Sequence, residues 1–318
     1  MSVVPRPPAS AAPGATYAKD TLIKGQPARI TCVDVCGQTF SLAGGLLSVL
    51  RLEDEWLSVV EDPHAVIAAI EDGRAPLPDL FTFCQRLPDV EPRHAFAVEY
   101  EAVAALRVHS YEQWWNTQIK NTTRNMVRKS QKAGVVVREC EFDDAFVAGM
   151  TAIFNEASIR QGRPFWHYGK DVETVRQQFS RFLAREDLIG AYLGDELIGF
   201  AMLGRSAGFA DIGQVIAKVA HRDKAVPNAL IAKCVEVCAR RGLPHLVYAY
   251  WTDSSLGQFK KQSGFEEVRL PRYYVPMTMK GKLALKAGLH KGPRHLVPVR
   301  IQARLREARA AWHARVLR

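Results

Sequence analysis

The chain has 318 residues, of which 47% are hydrophobic and 24% are charged, the composition of an ordinary soluble globular protein. No apolar run reaches the roughly 18 residues that cross a bilayer, and the first 20 residues lack the apolar segment of a secretory signal. The segment 280–318 contains four Lys and seven Arg against one acid, Glu307, and so accounts for the whole net charge of +10. The composition therefore predicts a neutral globular body with a basic tail.

The six cysteines carry little chemical information. They are spread along the chain, and no pair of them is accompanied by His or Cys at zinc-finger spacing. Cysteines outside disulfides are often buried as small apolar groups, so no metal site is predicted. A reducing, cytoplasmic compartment fits this usage. The Ala- and Pro-rich residues 1–20 are expected to form a disordered leader.

Residues 21–132 are predicted to form an N-terminal lobe of mixed α/β structure. Segment 29–40 alternates apolar and polar residues around Gly37-Gln38, as a hairpin does. The other elements expected here are strands at 80–84 and 94–108, a helix at 64–70 and a helix from Ser110 to Lys132. The last helix is expected to be continuous. It should end before Gly134, which follows it as a C-cap glycine does.

Residues 133–278 show a clearer succession of patterns, in the order β-α-α-β-β-β-α-β-α-β. Strands are expected at 135–142, 188–193, 197–204, 209–219, 245–251 and 265–277. Helices are expected after a cap at Asp143 or Asp144, across 172–182, around Leu230 to Val237 with an end at Gly242, and at 254–263.

That order, with the ending Phe259-Lys260-Lys261-Gln262-Ser263-Gly264-Phe265, resembles the GNAT acyltransferase fold and, more closely, its FemAB-like branch. The resemblance covers 134–278, which is under half of the chain. It implies an α/β (α+β) fold with a GNAT-type mixed sheet flanked by helices. Here that domain follows the N-terminal mixed lobe and precedes a basic C-terminal amphipathic helix within 279–318. It also implies acyl transfer as the class of reaction.

Lys260 is the residue that the resemblance singles out for catalysis. GNAT enzymes often have a Tyr there that can protonate a departing thiolate, whereas FemAB-like enzymes have a Phe-Lys pair. Those enzymes move an amino acid from aminoacyl-tRNA to an amine on a peptidoglycan precursor. A lysine ammonium can stabilise the oxyanion that develops when an amine attacks an ester. The alternative is a solvated helix lysine beside Lys261.

The turn at 221–228 is the expected donor site. In GNAT enzymes a glycine-rich turn at this place holds the pyrophosphate of acyl-CoA on backbone N–H groups. Here Ala225 and Pro227 replace the glycines, and Pro has no N–H. Contacts to the donor are expected from Arg222, Lys224 and Asn228. The donor is either acyl-CoA or aminoacyl-tRNA, without a metal, and a plain basic turn is the alternative.

The segment 155–170 is the densest polar-aromatic cluster and is expected to be a loop where binding residues lie. By the resemblance, this connection borders the acceptor site. Glu156 or His167 could take a proton from the nucleophile. The residues expected to bind the acceptor are Arg160, Arg163, Trp166, Tyr168 and Lys170. The alternative is a Glu156–Arg160 ion pair with aromatic rings packed under a loop.

Two further groups of residues complete the predicted site. Asp211 and Tyr250 lie on strands that splay apart in GNAT folds, and they are candidates for a base and an acid. The alternative for Tyr250 is a half-buried strand residue. Arg124 and Arg128 lie one turn apart on a basic helix and could contact phosphate, as a similar helix in FemAB-like proteins does. An exposed, solvated stripe is the alternative.

The basic tail carries one apolar stripe within 298–318, formed by residues spaced three or four apart: Ile301, Leu305, Ala308, Trp312 and Val316. A basic amphipathic helix of this kind can lie on an anionic membrane surface. It can equally contact RNA or pack on the protein body. We therefore expect a cytoplasmic protein that is either free or peripheral at the inner face of the membrane.

One main hypothesis and two alternatives follow. The main hypothesis is an acyl or aminoacyl transferase that modifies an amine or hydroxyl of a cell-envelope or polysaccharide precursor. Its partners would be the acyl donor, tRNA where the donor is aminoacyl-tRNA, and a glycan or peptide precursor, free or lipid-linked. The first alternative is an acetyl-CoA-dependent N-acetyltransferase that acts on a small molecule. The second is a non-catalytic GNAT-fold binding module.

Overall fold

The structure, a computed structural model, describes residues 14–23, 26–160, 162–180 and 183–291. Its strands are β1 Thr16–Ile23, β2 Gln26–Val35, β3 Gln38–Ala43, β4 Val49–Leu52, β5 Leu80–Cys84, β6 Ala97–Arg107, β7 Val135–Cys140, β8 Ile159–Arg160, β9 Arg163–Pro164, β10 Glu186–Leu193, β11 Glu196–Arg205, β12 Ala210–Ala217, β13 His245–Tyr250 and β14 Glu266–Pro276. Its α-helices are α1 Pro63–Glu71, α2 Tyr111–Gln113, α3 Asn121–Lys132, α4 Asp144–Asn155, α5 Val172–Phe179, α6 Val226–Arg240, α7 Ser255–Gln262 and α8 Met279–Lys286. The order predicted for 133–278 is therefore confirmed.

Twelve of the strands form one continuous sheet, in the order β1-β2-β3-β4-β5-β14-β6-β13-β12-β11-β10-β7. Two neighbouring pairs are parallel, β4 with β5 and β12 with β13. Strand β6, from the predicted N-terminal lobe, lies between β13 and β14 and pairs with both. The sheet is therefore continuous across the predicted boundary at 132/133.

The N-terminal edge of the sheet begins earlier in the chain than the predicted leader allows. Strand β1 starts at Thr16 and pairs antiparallel with β2 over its whole length. The hairpin predicted around Gly37-Gln38 joins β2 to β3. Its turn residues Cys36 and Gly37 have φ of 50° and 76°, the positive values that a two-residue hairpin turn requires.

The helix predicted from Ser110 to Lys132 is broken, which corrects the sequence analysis. A short helical turn and a π-helical turn, Trp114–Gln118, are followed by extended backbone at Ile119 (φ −113°, ψ 151°), and α3 starts two residues later. Trp114 and Ile119 are both buried, and the indole Nε1 of Trp114 donates to Ser263 O at 3.0 Å. Burial of both side chains therefore overrides the helix pattern.

Helices cover both faces of the β7–β12 half of the sheet. Alternate residues of β11 enter different cores: Ala201 and Leu203 pack with the buried face of α6, whereas Phe200 and Met202 pack with α4 and α5. This is the period-two alternation expected of a strand covered on both sides. A third core joins α1 to the N-terminal strands.

Asp79 ties the N-terminal part of the sheet to α8. Its carboxylate accepts hydrogen bonds from Ser48 N (2.8 Å), Thr278 Oγ1 (2.9 Å) and Lys280 Nζ (2.9 Å). These donors hold its pKa well below the usual range, led by the Ser48 amide. We expect Asp79→Ala to lower the free energy of unfolding by about 1–3 kcal/mol, because buried donors lose their acceptor.

Urea denaturation at pH 7 measures this effect. Asp72→Ala is the matched control, since Asp72 is exposed and its ion pair with Arg74 is exposed too; a change within about 0.5 kcal/mol is expected there. Because the pKa of Asp79 is lowered on folding, its contribution is present above pH 4 and is lost as the pH falls further. Equal effects of the two substitutions would contradict this role.

Candidate active site

Strands β12 and β13 separate next to Asp211. They pair at two positions, Ala210 with Leu246 and Asp211 with Val247. Beyond that point β13 has an irregular register against β6, and Ala249 adopts a left-handed backbone with φ of 49°. A non-glycine residue in that conformation is strained and is typical of functional sites. The two strands thus form a wedge whose closed end is at Asp211.

Lys260 reaches the closed end of this wedge from α7. Its side chain is buried, and Nζ donates to Tyr248 O (2.6 Å) and Tyr250 O (2.7 Å) while lying 4.6 Å from the centre of the Tyr248 ring. Burial lowers the pKa of Lys260 to about 8, and the Asp211 carboxylate opposes that shift. The alternative of a solvated helix lysine is therefore wrong. An ammonium has three N–H donors, so one remains beyond the two carbonyls.

Asp211 is the buried acid of the wedge. Burial raises its pKa to about 7, while Arg86, the Ala249 N–H and Lys260 favour the charged form. Its Oδ1 atom has no hydrogen-bond partner among the described residues. Tyr250 is about half exposed, and burial of the rest raises its pKa. The structure thus brings together Lys260, Asp211 and Tyr250, three of the five predicted catalytic residues.

A charged cluster from the N-terminal half of the chain adjoins these residues and was missed in the sequence analysis. Arg272 pairs with Glu55 at 3.0 Å and with Glu101 at 2.5 Å, and Arg86 lies 3.8 Å from Glu101. Its members come from a loop, a strand end and two strands far apart in sequence, so no spacing reveals them. The available signal is Arg86 itself, a charged residue two positions after the wholly buried strand β5.

An aromatic pair borders this charged cluster. The Trp56 and Tyr250 rings meet edge to face with their centres 5.0 Å apart, and the Arg86 guanidinium lies 5.1 Å from the Trp56 ring. The Arg86 Nε donates to Glu55 O at 2.8 Å, which fixes the loop that carries Trp56. The site therefore includes parts of both predicted domains.

Glu156 and Arg160 are held in structural roles at the other end of β12. Glu156 accepts from the backbone N–H groups of Val219 and Ala220, the latter at 2.8 Å. Arg160 donates to Ala217 O (2.7 Å) and pairs with Glu156 at 3.4 Å. Ala217 lies six positions along β12 from Asp211, a distance of about 20 Å. The predicted base Glu156 thus lies at the opposite end of β12 from Asp211.

The segment 155–170 contains a small hairpin, β8 with β9, where a loop was expected. Arg163 is exposed, and Trp166 and Tyr168 are about half exposed. Lys170, by contrast, is buried; its Nζ donates to Gln178 Oε1 at 2.6 Å and lies 4.1 Å from the Trp166 ring. Burial lowers the pKa of Lys170 to about 8.

His167 is enclosed beneath this hairpin. Its ring stacks on Phe154 with centres 4.2 Å apart, and Nδ1 lies 3.1 Å from Lys170 Nζ. Burial, with help from Lys170 and Arg160, lowers its pKa to about 3. We expect His167→Ala to lower the free energy of unfolding at pH 7 by about 2–4 kcal/mol and to leave kcat/KM of folded protein within about threefold.

A pH series separates packing from catalysis at His167. A histidine whose pKa is lowered on folding stabilises above its unfolded pKa of 6.5, and that contribution is lost as the pH falls toward 3. Denaturation at pH 7 and pH 5 should therefore give a smaller difference between His167→Ala and the wild type at pH 5. A loss of kcat/KM by 100-fold or more at unchanged fold would instead make His167 catalytic.

The predicted donor turn lies between β12 and α6. A 3₁₀ turn, Val219–Lys224, leads to Ala225 with φ of 52°, and α6 begins without a side-chain cap. Arg222 is exposed, and Lys224 pairs with Asp223 at 3.4 Å. The Asn228 N–H donates to Ala225 O within the turn.

Arg124 and Arg128 support the broken helix described above. Arg124 donates to Trp115 O (2.5 Å), to Ile119 O (3.0 Å) and to the side chain of Asn121. The Arg128 guanidinium lies 5.5 Å from the Trp115 ring. The Arg124 side chain thus donates its hydrogen bonds to the π-helical turn and the break before α3 and to the first residue of α3.

A groove of about 710 Å³ lies beside β7 and α4 and includes Arg138, Glu141 and Asp143. Neither Lys260 nor Asp211 lines it. Within the part of the chain that the structure describes, no group of three or more His, Cys, Asp or Glu side chains could hold a metal ion. No helix among those residues is long and apolar enough to cross a membrane.

Solved structures with the same arrangement exist despite low sequence identity. FemX superposes with a TM-score of 0.55 at 10% identity, over 85% of this chain and 90% of FemX. The chain has a GNAT-type fold of the FemAB-like kind. The C-terminal domain of a putative lysylphosphatidylglycerol synthetase from Agrobacterium fabrum gives 0.52 at 12% identity, covering 82% and 88%. L-PGS from Bacillus licheniformis gives 0.51 at 13%, covering 77% and 83%.

These likenesses confirm the predicted fold class, and they extend over far more of the chain than the predicted 134–278. No protein-family model matches the sequence, and no curated protein matches it either. The function therefore has to be argued from the site.

Proposed function

We propose that the protein transfers an acyl or aminoacyl group to an amine or hydroxyl of a cell-envelope or polysaccharide precursor. The observation that carries the proposal is the Lys260 ammonium, buried and held by two carbonyls beside Asp211 where β12 and β13 separate. A preorganised cation in a site with little water stabilises a developing oxyanion far better than one in bulk water does.

The chemistry is a direct attack without a covalent enzyme intermediate. The acceptor nitrogen or oxygen bonds to the donor carbonyl carbon, and the carbon–oxygen or carbon–sulfur bond to the carrier breaks. Lys260 stabilises the oxyanion through its remaining N–H. The proton that the acceptor loses ends on the leaving oxygen or sulfur, so the transfer is balanced without a further reactant. The raised pKa of Asp211, about 7, suits a group that passes this proton at neutral pH.

The fold supports the same class of reaction by analogy. Two of the similar structures are lysylphosphatidylglycerol synthetases by name, enzymes whose product carries an amino acid on a lipid. The Phe259-Lys260 pair resembles the Phe-Lys pair of FemAB-like enzymes. Both likenesses favour an acceptor from the cell envelope.

Aminoacyl-tRNA is the donor that the proposal favours over acyl-CoA. Glu156 already accepts the N–H groups of Val219 and Ala220, and Pro227 has none to offer. A pyrophosphate would have to compete with a carboxylate of this chain for the same part of the turn. Exposed Arg222 can still contact a tRNA phosphate.

Calorimetric titration of the full chain with coenzyme A and with a charged tRNA tests the donor. We expect binding of the tRNA in the micromolar range and none of coenzyme A up to about 1 mM. Micromolar binding of coenzyme A alone would favour an acetyl-CoA-dependent N-acetyltransferase. Binding of neither, together with an unaltered cellular phenotype on Lys260→Ala, would favour a non-catalytic module.

A membrane-proximal position is proposed for the C-terminal region. Helix α8 exposes Met279 and Leu283 one turn apart, next to exposed Lys282 and Lys286, a pattern suited to an anionic bilayer surface. The apolar stripe within 298–318 lies outside the described residues. We expect the full chain to float with liposomes that contain phosphatidylglycerol, and a 1–279 truncation to float much less. Equal flotation would contradict the proposal.

A further inference from the structure

Two buried polar atoms of opposite charge make no hydrogen bond next to Lys260, although one of them, Arg86 Nη1, lies 3.8 Å from Glu101 Oε2. Asp211 Oδ1 and Arg86 Nη1 make no hydrogen bond with any described residue, although their residues are only 8% and 5% exposed. Arg86 also favours the charged form of Asp211, so the two groups are neighbours. Nearly all buried polar atoms in proteins are paired, and an unpaired charged one costs more than about 1–3 kcal/mol. The proximity of these two atoms indicates a ligand that offers both a hydrogen-bond donor and an acceptor.

The position of this pair fits the acyl end of a donor. Asp211 lies at the closed end of the wedge, and the turn Val219–Lys224 lies past its open end, about 20 Å away by strand length. The amino acid of a charged tRNA is esterified to the terminal ribose, so a donor whose aminoacyl group lies beside Asp211 and Lys260 has its terminal nucleotide within the wedge and its preceding phosphates toward the turn.

The unpaired oxygen of Asp211 favours a cationic ligand. An ionised carboxylate is acceptor-only, and Asp211 Oδ1 is buried without a donor among the described residues. A ligand ammonium supplies N–H donors to that oxygen and forms a charge-assisted hydrogen bond.

We propose that Asp211 binds the α-ammonium group of an aminoacyl donor while Arg86 Nη1 donates to the carbonyl oxygen of the same group. The proposal deepens the proposed function and rests on it, because Lys260 then acts on that carbonyl. Asp211 becomes the residue that selects α-aminoacyl donors. An acetyl group has the carbonyl but no ammonium, so it leaves the carboxylate unpaired.

The Trp56 and Tyr250 rings provide a way to observe binding. Both atoms of the pair are buried, and these rings lie against the same cluster. Entry of the aminoacyl group requires the rings to part, so the fluorescence of Trp56 changes when the site fills.

Binding is tested on the full chain with 3′-deoxy-3′-(alanylamido)adenosine, an amide that cannot be transferred, and with its N-acetyl derivative. We expect the free amine to bind the wild type roughly 10- to 100-fold more tightly than the N-acetyl form. Asp211→Asn should remove most of this preference by weakening the free amine alone. Asp195→Asn, at an exposed acid of the turn between β10 and β11, is the control and should keep it.

Equal affinity of the wild type for the two compounds overturns the proposal, and so does an equal loss for both in Asp211→Asn. The comparison of two ligands on the wild type needs no variant, so it stands even if Asp211→Asn unfolds. A transfer assay with alanyl-tRNA and N-acetylalanyl-tRNA distinguishes the proposed role of Asp211 from the proposed function. Transfer without preference overturns the role of Asp211, whereas preferential binding without any transfer overturns the proposed function.

Discussion

Replacing Lys260 by Met should reduce kcat for acyl transfer by about 10²–10³-fold, the usual effect of removing one oxyanion donor. Met keeps the length and apolar stem of the side chain but has no ammonium. It also leaves the Tyr248 and Tyr250 carbonyls without their donor, at a cost of about 1–3 kcal/mol in stability. Initial rates, with thermal unfolding as the check on folding, measure both effects.

Two further variants make this result specific. Lys261→Met is the matched control, because Lys261 is the exposed neighbour on the same helix, and its rate should stay within about twofold. Lys260→Gln retains N–H donors for the carbonyls without the charge, so it should fold better than Lys260→Met and still lose at least about 100-fold in kcat. Wild-type rates in a folded Lys260→Gln protein would remove Lys260 from the mechanism.

Asp211→Asn should make the protein more stable at alkaline pH. Folding raises the pKa of Asp211 from 3.8 to about 7, so the folded state binds the proton more tightly than the unfolded state. Its favourable contribution is complete below pH 3.8 and is lost as the pH rises through 7. Asparagine does not titrate, so its contribution to stability does not depend on pH. The stability of Asp211→Asn relative to the wild type should therefore increase by roughly 2–3 kcal/mol between pH 5 and pH 8.

Guanidinium denaturation at both pH values measures that difference. Asp223→Asn provides the matched comparison, since this exposed acid should give a curve parallel to the wild type. A constant difference between Asp211→Asn and the wild type would mean that the carboxyl is ionised at both pH values. The acid would then be better solvated than its burial suggests.

The sheet could be predicted from the sequence because its signals are local. The apolar runs 188–193 and 197–204, the turn at Gly194-Asp195 between them and the cap at Asp143 each depend on a few neighbouring residues. The broken helix at Ile119 could not be predicted in this way, since its cause is the burial of Trp114 against Ser263, far along the chain. The place of β6 between β13 and β14 is likewise a consequence of long-range pairing.

The same difference between local signals and long-range contacts applies to the residues of the candidate site. Lys260 was found through a short motif, and Asp211 and Tyr250 through their place on the splayed strands. Arg86, Glu55 and Trp56 were missed because they come from loops of the other predicted domain. The segment 155–170 drew attention because polar and aromatic residues are dense there. In the structure, Glu156 accepts a hydrogen bond from Ala220 N, and the His167 ring stacks on Phe154. Composition does not reveal these contacts.

Mass spectrometry of cell-envelope precursors tests the central claim most directly. Extracts would be compared from cells that lack the protein and from cells that express the wild type, Lys260→Gln or Lys261→Met. The account predicts that cells without the protein and cells with Lys260→Gln accumulate one precursor lighter by a single acyl or aminoacyl group, and that the wild type and Lys261→Met convert it. Identical precursor profiles in all four cases, or full conversion by Lys260→Gln, would contradict it.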